Sequence, residues 1–510
     1  MQHGTHEFVT QFQIRDNAVT ILSQSLFFRH PPNFATINGM SVPVINIGQM
    51  REWENLTWIS GQAESEVIRR VGRKIGRRAR RLTQSDDKIL VLAGKGNNGN
   101  DARAAIEHLD NRRVELLEIH SPDADLKRVE LALRLRPDLI IDGLFGIGLN
   151  RPLDAAWLQI IAALNASGVP ILSIDVPSGM NADTGSHFGG AIKAALTVMV
   201  GAPKLGQLSP DAWPLVGRLE LADDVGLIEC PLKSELNWNL PSDFKNFPPP
   251  RPMDGHKGRF GHVSIIAGSF GYHGAAVLAA RGAKRAQPGL ITLSVEQNIY
   301  NPVAAQLQSV MVNLWQPQMR FPETTSAIVI GPGLAGAPDS EELRTATRRL
   351  WRDIKMPLVV DASALQWLAQ HTLAPDLVRV ITPHPGEAAR LLNTTPATVQ
   401  ADRRHALREL SRIHGNCWVV LKGNQTLVGR SKGDIFVNSS GNPYLAQGGS
   451  GDVLSGYLGG LLAQPHLAID AEKTIRYAVW QHGAAADKLQ ASRANWTIED
   501  LVTELGNAVP

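Results

Sequence analysis

Short apolar runs that end in a glycine or an aspartate recur along the first half of the chain. They lie at 88–94, 138–146, 169–179 and 194–204, and polar stretches with helical spacing separate them. Continuous apolar strands that alternate with helices are typical of a parallel sheet covered on both faces. Ligands of such sheets bind beyond the carboxyl ends of the strands, so we expect the loops after these strands to converge on one crevice.

The second half of the chain repeats this alternation with more strands. Strands are predicted at 262–268, 290–295, 327–331, 357–361, 379–383, 417–423 and 434–438. Helices are predicted near 274–287, 340–353, 396–413, 450–463 and 471–490. This order of elements predicts a second layered α/β domain.

A proline-rich stretch at 239–261 separates the two halves, and its residues 248–250 are three consecutive prolines. Proline restricts its own backbone and that of the preceding residue, so the stretch predicts an extended linker. Residues 1–45 show no clean period and are expected to form an irregular arm. We therefore expect an N-terminal domain at 1–238, a linker at 239–254 and a C-terminal domain at 255–510.

The composition is that of an ordinary soluble globular protein, with 43% hydrophobic and 19% charged residues. The two cysteines, Cys230 and Cys417, form no disulfide framework, which favours a reducing, cytoplasmic location. No segment resembles a signal peptide or a membrane span. The formal charge of +3 gives no support to a nucleic-acid partner.

One local charge run stands out, because eight basic residues and no acidic one lie between Arg69 and Arg81. They alternate with apolar residues at roughly helical spacing, which predicts an amphipathic helix with a solvated basic face. A face that binds a polyanion such as RNA is the alternative.

Candidate chemistry in the second half is concentrated in loops that follow predicted strands. The glycine-rich turn at 448–451 leads into Asp452 and a helix, and backbone N–H groups at a helix start form an anion cradle. An aspartate there is placed to act as a base on a group next to a bound phosphate. Lys422 ends another strand and is a natural phosphate ligand, while His384 lies in a stiff loop between two prolines.

The first half carries the run KGNNGND at 95–101 between a strand and a helix. Its glycines and asparagines permit a close backbone approach to a pyrophosphate, but the spacing is not GxGxxG, which disfavours an ordinary Rossmann dehydrogenase. Asp142 and Asp175 each end a strand, and Ser178 follows in a loop. Such oxygen groups suit a monovalent cation or a general base, although loop capping would also explain them.

The motifs of the second half, IGPGLAG, DASAL, TPHPGEAARLL, VLKGNQT and QGGSGDVLSG, occur in the order seen in the NAD(P)H-hydrate dehydratases. Residues 255–490 resemble that family, which belongs to the ribokinase-like superfamily. The resemblance implies that ADP phosphorylates the C6 hydroxyl of a hydrated nicotinamide ring, after which phosphate leaves and NAD(P)H and AMP remain.

The resemblance also implies roles for particular residues. Asp452 would be the base that activates the C6 hydroxyl, and Mg²⁺ is expected because phosphoryl transfer needs charge neutralisation. The residues implied to contact the hydrated cofactor are Ala275, Gly333, His384 and Asp452. Those implied to hold the adenine nucleotide are Lys422, Gly423, Asn424, Gln425, Thr426 and Gly451.

Residues 46–225 similarly resemble the NAD(P)H-hydrate epimerase domain, on the motifs GNNGND, DGLFGIGLNRPL and SIDVPSGMNADTG. This implies interconversion of the R and S epimers at C6, with Asp175 touching the substrate or acting as acid and base. The residues implied to bind the hydrated cofactor are Asn97, Asn98, Gly99, Asn100, Asp101, Gly146, Ile147, Gly148, Leu149, Asn150, Arg151, Pro152 and Asp175. Those implied to bind K⁺ are Asn98, Asp142 and Ser178.

Two positions depart from the epimerase pattern NNGGDG, because Asn100 and Ala102 replace glycines. A side chain at 100 is expected to crowd a pyrophosphate or to require an unfavourable backbone angle. We therefore expect a Rossmann-like three-layer α/β domain followed by a ribokinase-like domain, acting on small molecules as a homo-oligomer. The alternatives are a ribokinase-like small-molecule kinase with a non-catalytic N-terminal module, or an N-terminal scaffold that binds RNA.

Overall fold

The computed structural model describes residues 41–336, 340–368, 370, 373, 374 and 376–510. This part of the chain forms two compact units. The N-terminal unit is built on Val42–Ser234, and the C-terminal unit is built on Glu235–Leu489 and Asn495–Pro510. Residues 1–40 of the expected irregular arm lie outside the described residues.

The N-terminal unit contains a parallel sheet of six strands in the order β3-β2-β4-β5-β6-β7 within the described residues. The strands of this unit are β1 (Val42–Pro43), β2 (Lys88–Ala93), β3 (Arg113–Glu118), β4 (Leu139–Gly143), β5 (Ile171–Ile174), β6 (Leu196–Val200) and β7 (Arg218–Ala222). The two-residue β1 lies outside this sheet. The chain passes from β2 to β3 on one side and then crosses to β4 on the other side of β2, so a crevice forms at the carboxyl ends of β2 and β4.

Helices cover both faces of this sheet, as the apolar strands predicted. The helices are α1 (Ile47–Ile59), α2 (Glu64–Leu82), α3 (Asn97–Ile106), α4 (Pro122–Arg134), α5 (Ala155–Ala166) and α6 (Trp213–Val216). One apolar core contains residues of α2 and α3, and the other contains residues of α4 and α5. The three-layer arrangement follows from these two cores.

The helix after β2 begins earlier than the sequence indicated. We expected it to start at Ala102, but α3 starts at Asn97, so most of the KGNNGND run forms its first turns. Gly99 makes this possible, because a Cβ there would lie 2.1 Å from the carbonyl oxygen of Gly94. Only glycine permits so close an approach, and tertiary packing here overrides the weak helix propensity of glycine and asparagine.

The basic face of α2 is not wholly solvated, so that expectation is wrong for two of its residues. Arg78 is 1% exposed, and its Nε lies 2.6 Å from Oε2 of Glu220 on β7. The Nζ of Lys74 lies 3.3 Å from Oδ1 of Asp223. Acidic residues at the edge of the sheet therefore draw part of the basic run into the interior, where each cation has a partner.

In the C-terminal unit, ten described strands form one sheet in the order β8-β17-β16-β15-β14-β13-β12-β9-β10-β11. Pairing is parallel except at β15–β16 and β16–β17, which are antiparallel. The strands are β8 (Leu236–Trp238), β9 (His262–Ile266), β10 (Leu290–Val295), β11 (Met311–Leu314), β12 (Ala327–Ile330), β13 (Leu358–Val360), β14 (Arg379–Ile381), β15 (Trp418–Leu421), β16 (Leu427–Gly429) and β17 (Ile435–Val437). The sequence did not predict β8, β11 and β16.

The helices of this unit are α7 (His273–Arg285), α8 (Tyr300–Ala304), α9 (Glu341–Asp353), α10 (Pro385–Leu391), α11 (Pro396–Ala401), α12 (Arg403–Ile413), α13 (Ser450–Leu462), α14 (Pro465–Ala468), α15 (Ala471–Ser492) and α16 (Ile498–Glu504). Helices lie on this sheet, and one large apolar core among the described residues joins it to α7, α8 and α13–α16. Buried residues of α9 and α12, such as Leu350 and Leu407, lie outside that core. The one helix predicted at 396–413 is in fact two, divided at Asp402.

Part of the predicted linker belongs to the C-terminal unit. Residues Pro241–Phe244 form a short 3₁₀ helix, and the side chain of Phe244 is fully buried against Tyr477 and Trp480. Asp243 pairs with Arg476 at 2.9 Å. An aromatic anchor and a buried ion pair hold this segment, so the extended linker inferred from the prolines is wrong there.

Candidate active sites

The glycine-rich turn of the C-terminal unit begins α13. Gly449 precedes the helix with a φ of +95°, in the left-handed region that glycine adopts without strain. Asp452 lies in the first turn, beside N–H groups that have no partner within the helix. The helix therefore starts at the glycine-rich turn, as the sequence predicted.

A buried charge network lies beside this helix start. The Nζ of Lys422 is 2.9 Å from Oδ1 of Asp361 and 3.8 Å from Oε2 of Glu387. Asp361 is 1% exposed, and Ser455 of α13 donates a hydrogen bond to its other oxygen. Burial lowers the pKa of Lys422, but the two carboxylates outweigh burial and raise it, so the lysine stays charged.

Asp452 is the member of this cluster whose proton is most easily exchanged near neutral pH. Burial raises its pKa to about 7, and the negative charges of Asp361 and Glu387 add to this, while Lys422 opposes it. A carboxylate with a pKa near the working pH is well matched to general base catalysis.

His384 caps α10 and faces the same cluster. Its Nδ1 accepts a hydrogen bond from the backbone N–H of Gly386 at 3.0 Å, and the backbone N–H of His384 donates to the carboxylate of Glu387 at 2.8 Å. Burial lowers the pKa of His384, which favours a neutral ring with its proton on Nε2. The half-exposed Nε2 lies 3.6 Å from Oε1 of Glu387.

The other predicted dehydratase residues fall into two groups at the carboxyl edge of the sheet. Ala275 and Gly333 are neighbours, because a Cβ on Gly333 would lie 2.5 Å from the Cβ of Ala275. Gly451 lies close to Lys422, with its ideal Cβ position 3.3 Å from the lysine Nζ. The residues Gly423, Asn424, Gln425 and Thr426 form the hairpin loop between β15 and β16.

In the N-terminal unit, three strand-end loops meet through hydrogen bonds, as expected. Asn98 donates from Nδ2 to the carbonyl oxygen of Phe145 at 2.9 Å. The N–H of Phe145 donates to Oγ of Ser178 at 2.9 Å, and that hydroxyl donates to Oδ1 of Asp142 at 2.5 Å. The loops after β2, β4 and β5 are thus joined at the predicted crevice.

Asp142 is fully buried and is surrounded by neutral hydrogen-bond donors. Ser173 and the backbone N–H of Ser178 donate to its Oδ2 at 2.8 and 3.0 Å. Burial raises its pKa, and these hydrogen bonds act in the opposite direction. Among the described residues no lysine, arginine or histidine pairs with it.

Asp175 has a partner that the sequence analysis did not identify. It adopts a φ of +60°, and its Oδ1 forms an ion pair with the fully buried ammonium of Lys204. The N–H of Val200 donates to the same oxygen at 3.0 Å, and Gln207 donates to the Asp175 carbonyl at 2.6 Å. The available signal was a single lysine at the end of the apolar run 194–204.

Further carboxyl groups line a cavity of about 50 Å³ in the same unit. Its walls include Asp101 and Asn97 of α3, Glu64 of α2 and Glu54 of α1. Burial raises the pKa of Asp101 well above its usual range, and the charge of Asp175 adds to this effect. Burial and Asp175 also raise the pKa of Glu54, whose helix carries no motif and which the sequence analysis therefore missed.

The two departures from the epimerase pattern are accommodated. Asn100 lies in α3 with an ordinary helical backbone, and its side chain accepts a hydrogen bond from Arg103 at 3.0 Å. The expected unfavourable backbone angle is therefore wrong. Ala102 is fully buried against Gly143, where a Cβ would lie only 2.6 Å from that of Ala102. The missing side chain at 143 makes room for the extra methyl group at 102.

The predicted loop at 146–152 follows β4 on the same edge of the sheet. Phe145, just before it, packs edge-on against Trp157 of α5, with ring centroids 4.6 Å apart. The N–H of Leu153, just after it, donates to the carbonyl of Phe188 at 3.2 Å. The loop is thus held at both ends and borders the crevice.

Among the described helices, none has the length and apolar character needed to cross a lipid bilayer.

A Rossmann-like unit followed by a ribokinase-like unit, each with a loop suited to phosphate beyond its strands, defines a two-domain enzyme that handles nucleotides. Family models match at residues 263–510, described as NAD(P)H-hydrate dehydratase, and at residues 114–206, described as YjeF-related protein N-terminus. The bifunctional NAD(P)H-hydrate repair enzyme of Gloeobacter violaceus is 36% identical, over 79% of this chain and 84% of its own length. The chain belongs to the family of bifunctional NAD(P)H-hydrate repair enzymes.

Other similar proteins carry related names. The enzyme of the same name from Vibrio cholerae is 39% identical, over 69% of this chain and 70% of its own length. A crystal structure of the ADP/ATP-dependent NAD(P)H-hydrate dehydratase of Bacillus subtilis, co-crystallised with ATP and Mg²⁺, is 29% identical. It covers 53% of this chain and 96% of its own, with a TM-score of 0.47. The predicted family and fold classes are confirmed, in preference to the kinase alternative.

Proposed function

We propose that this chain repairs hydrated NADH and NADPH by two reactions in two units. The N-terminal unit interconverts the R and S epimers at C6 of the hydrated ring. The C-terminal unit converts the S epimer back to NAD(P)H, with ADP as phosphoryl donor and AMP and phosphate as products. A homo-oligomeric state and a cytoplasmic location stay predictions.

Asp452 carries the dehydratase assignment, because a carboxylate with a pKa of about 7 stands at an anion-binding helix start. It accepts the proton of the C6 hydroxyl, whose oxygen then attacks the β-phosphorus of ADP. The ring nitrogen expels the phosphate by breaking the C6–O bond, and loss of a ring proton restores NAD(P)H. Lys422, held by Asp361, balances the charge of the transferred group.

The remaining dehydratase residues bind the two substrates. We assign His384, Ala275 and Gly333 to the hydrated cofactor, with the Nε2 proton of His384 as a hydrogen-bond donor. The residues assigned to ADP are Lys422, Gly423, Asn424, Gln425, Thr426 and Gly451.

Mg²⁺ fits this site only as a companion of the nucleotide. No group of three His, Cys, Asp or Glu residues is arranged to hold a metal ion in the described parts of the chain. Magnesium commonly binds through substrate phosphates with few protein ligands, and Asp452 is the carboxylate closest to the cradle. When bound, it would neutralise phosphate charge during transfer.

In the N-terminal unit, we assign proton transfer in epimerisation to Asp175, which Lys204 holds in place. Asn97 to Asp101 and residues 146–152 would bind the hydrated cofactor along the crevice between β2 and β4. The N–H groups at the start of α3 suit its pyrophosphate. Asp101 lines the neighbouring cavity, and burial raises the pKa of its carboxyl group.

We also propose K⁺ binding by Asn98, Asp142 and Ser178. These residues supply amide, carboxylate and hydroxyl oxygens in one cluster. The buried carboxylate of Asp142 has only neutral donors around it, and a monovalent cation would compensate its charge. When bound, the ion would stabilise the meeting point of the three loops.

The experiment that tests the dehydratase follows the fate of phosphate with the pure S epimer and ADP. The proposal predicts equimolar AMP, phosphate and NAD(P)H. A stable phosphorylated nicotinamide product, with no free phosphate and no NAD(P)H, would instead support a ribokinase-like kinase.

A further inference from the structure

Arg403, the first residue of α12, lies behind the hairpin loop at 422–426. Its side chain reaches four backbone carbonyls of the β15–β16 hairpin. Nη2 donates to Leu421 at 3.0 Å and to Lys422 at 3.3 Å. Nη1 donates to Asn424 and, at 3.4 Å, to Gln425. The residue is only 8% exposed, so these carbonyls replace water around its charge.

These contacts determine which side of the loop presents its N–H groups. In a trans peptide the C=O and N–H bonds point in nearly opposite directions. Carbonyls of Lys422, Asn424 and Gln425 that face Arg403 therefore turn the N–H groups of the following residues away from it. Those N–H groups belong to Gly423, Gln425 and Thr426.

The loop has a backbone that needs external support. Gly423 has a φ of +131° and Gln425 has a φ of +52°, both in regions that side chains disfavour. Its carbonyls face the interior, where unpaired acceptors are costly. A planar guanidinium has five donors in a fixed fork and can serve several carbonyls at once, whereas a lysine ammonium cannot match that geometry.

We propose that Arg403 is the positioning residue that shapes the loop for nucleotide binding, without itself touching the nucleotide. This inference rests on the proposed function, in which the loop holds ADP. Asp402 interrupts the helix predicted at 396–413 and caps α12, which places Arg403 at a helix start directly behind the loop. Loss of the fork should therefore weaken ADP binding more than binding of the hydrated cofactor.

Arg379 provides a matched control in the same unit. It is also a buried arginine whose guanidinium serves backbone carbonyls, here of Trp351, Ile354 and Met356. Burial lowers the pKa of both arginines to about 10. Arg379 is the first residue of β14, at the amino end of the strand, whereas the loop follows the carboxyl end of β15.

The test compares the full-length chain with its R403K, R403M and R379K variants. ADP binding is measured directly by calorimetry, and KM is measured separately for ADP and for the S hydrate. We expect R403K to weaken ADP binding about tenfold, as for lost charge-assisted hydrogen bonds, while KM for the hydrate stays unchanged. R379K should lower Tm but leave ADP binding at the wild-type value.

The possible results of this test are distinguishable. Wild-type ADP affinity in folded R403K overturns the inference, as does an equal loss in R379K or an equal rise in KM for the hydrate. If R403M fails to fold, R403K retains the charge and decides the question. Failure of the wild-type chain itself to bind ADP would instead refute the proposed function on which the inference rests.

Discussion

The two units treat their buried carboxylates differently. In the C-terminal unit, Asp361 is neutralised by Lys422, and Asp452 beside them has its pKa raised to about 7. In the N-terminal unit, Asp142 has only neutral donors, and the ion pair that completes the site joins Asp175 to Lys204. The first site is built from residues of recognisable motifs, whereas the second needs residues from outside them.

The difference between the two sites shows that a motif reveals residues placed together by strand order, and does not reveal residues brought together by packing of the whole unit. In the C-terminal cluster, Asp361, His384 and Lys422 follow neighbouring parallel strands, so the order of these strands brings them together. The N-terminal cluster also uses α1 and the segment after β6, whose proximity depends on the packing of the whole unit. The two sites should therefore respond separately to substitution.

Asp452→Asn is expected to separate the dehydratase activity from the epimerase activity most strongly. Loss of the base should reduce ADP-dependent NADH formation about 10³-fold, within the range for general base removal, while R/S interconversion continues. Absorbance at the NADH band measures the first activity, and chromatography of the epimers measures the second. Asp470→Asn, an exposed helix cap in the same unit that asparagine also satisfies, should change neither. Full dehydratase activity in Asp452→Asn would refute this assignment.

The reciprocal substitution is Asp175→Asn, which removes the proton-transfer group of the other unit. Epimerisation above the spontaneous rate should fall about 10²-fold, and dehydration of pure S hydrate should be unaffected. Asp154→Asn, an exposed cap of α5, is the control. A matching loss of both activities would show that the two sites are not independent.

The pH dependence of the dehydratase reaction tests the C-terminal site by itself. Asp452 must be ionised to act as a base, so kcat/KM of the dehydratase should fall about tenfold per pH unit below its pKa of about 7 and level off above it. Because the charge of Lys422 lowers this pKa, Lys422→Met should move the remaining activity to higher pH. A flat profile across about pH 5.5 to 8 would contradict the role of Asp452.

The smallest effect is expected at the departures from the epimerase pattern. Asn100→Gly together with Ala102→Gly should change the epimerisation rate by no more than about twofold, since Asn100 already has a helical backbone and bonds to Arg103. The two glycines should destabilise the unit by about 1 kcal/mol each, measured by urea unfolding. A rise of about tenfold in rate would show that these side chains limit the site.

Much of this architecture could be predicted from the sequence, because buried parallel strands are apolar throughout. The exceptions have physical causes. The edge strand β11 has only four residues, one of them the polar Asn313, and β16 has only three. The early start of α3 depends on the contact of Gly99 with Gly94, which local propensity does not reveal.

Local sequence also reveals only some of the residues at the candidate sites. Asp452, His384 and Lys422 could be predicted because motifs place His384 and Lys422 shortly after strands and Asp452 at a helix start. Glu54 lies on α1, and its proximity to Asp175 arises only when that helix packs on the unit. Arg403 was hidden because the pattern at 396–413 resembled one continuous helix.

The most direct measurement uses an equal mixture of R and S hydrated NADH with the full-length chain, followed by chromatography with and without ADP. The account predicts that ADP drives both epimers to NADH faster than spontaneous epimerisation allows, and that without ADP the chain only interconverts them. Rapid loss of the S epimer alone would show that the N-terminal site is inactive. If neither ADP nor ATP yields NADH, cofactor repair by this chain is contradicted.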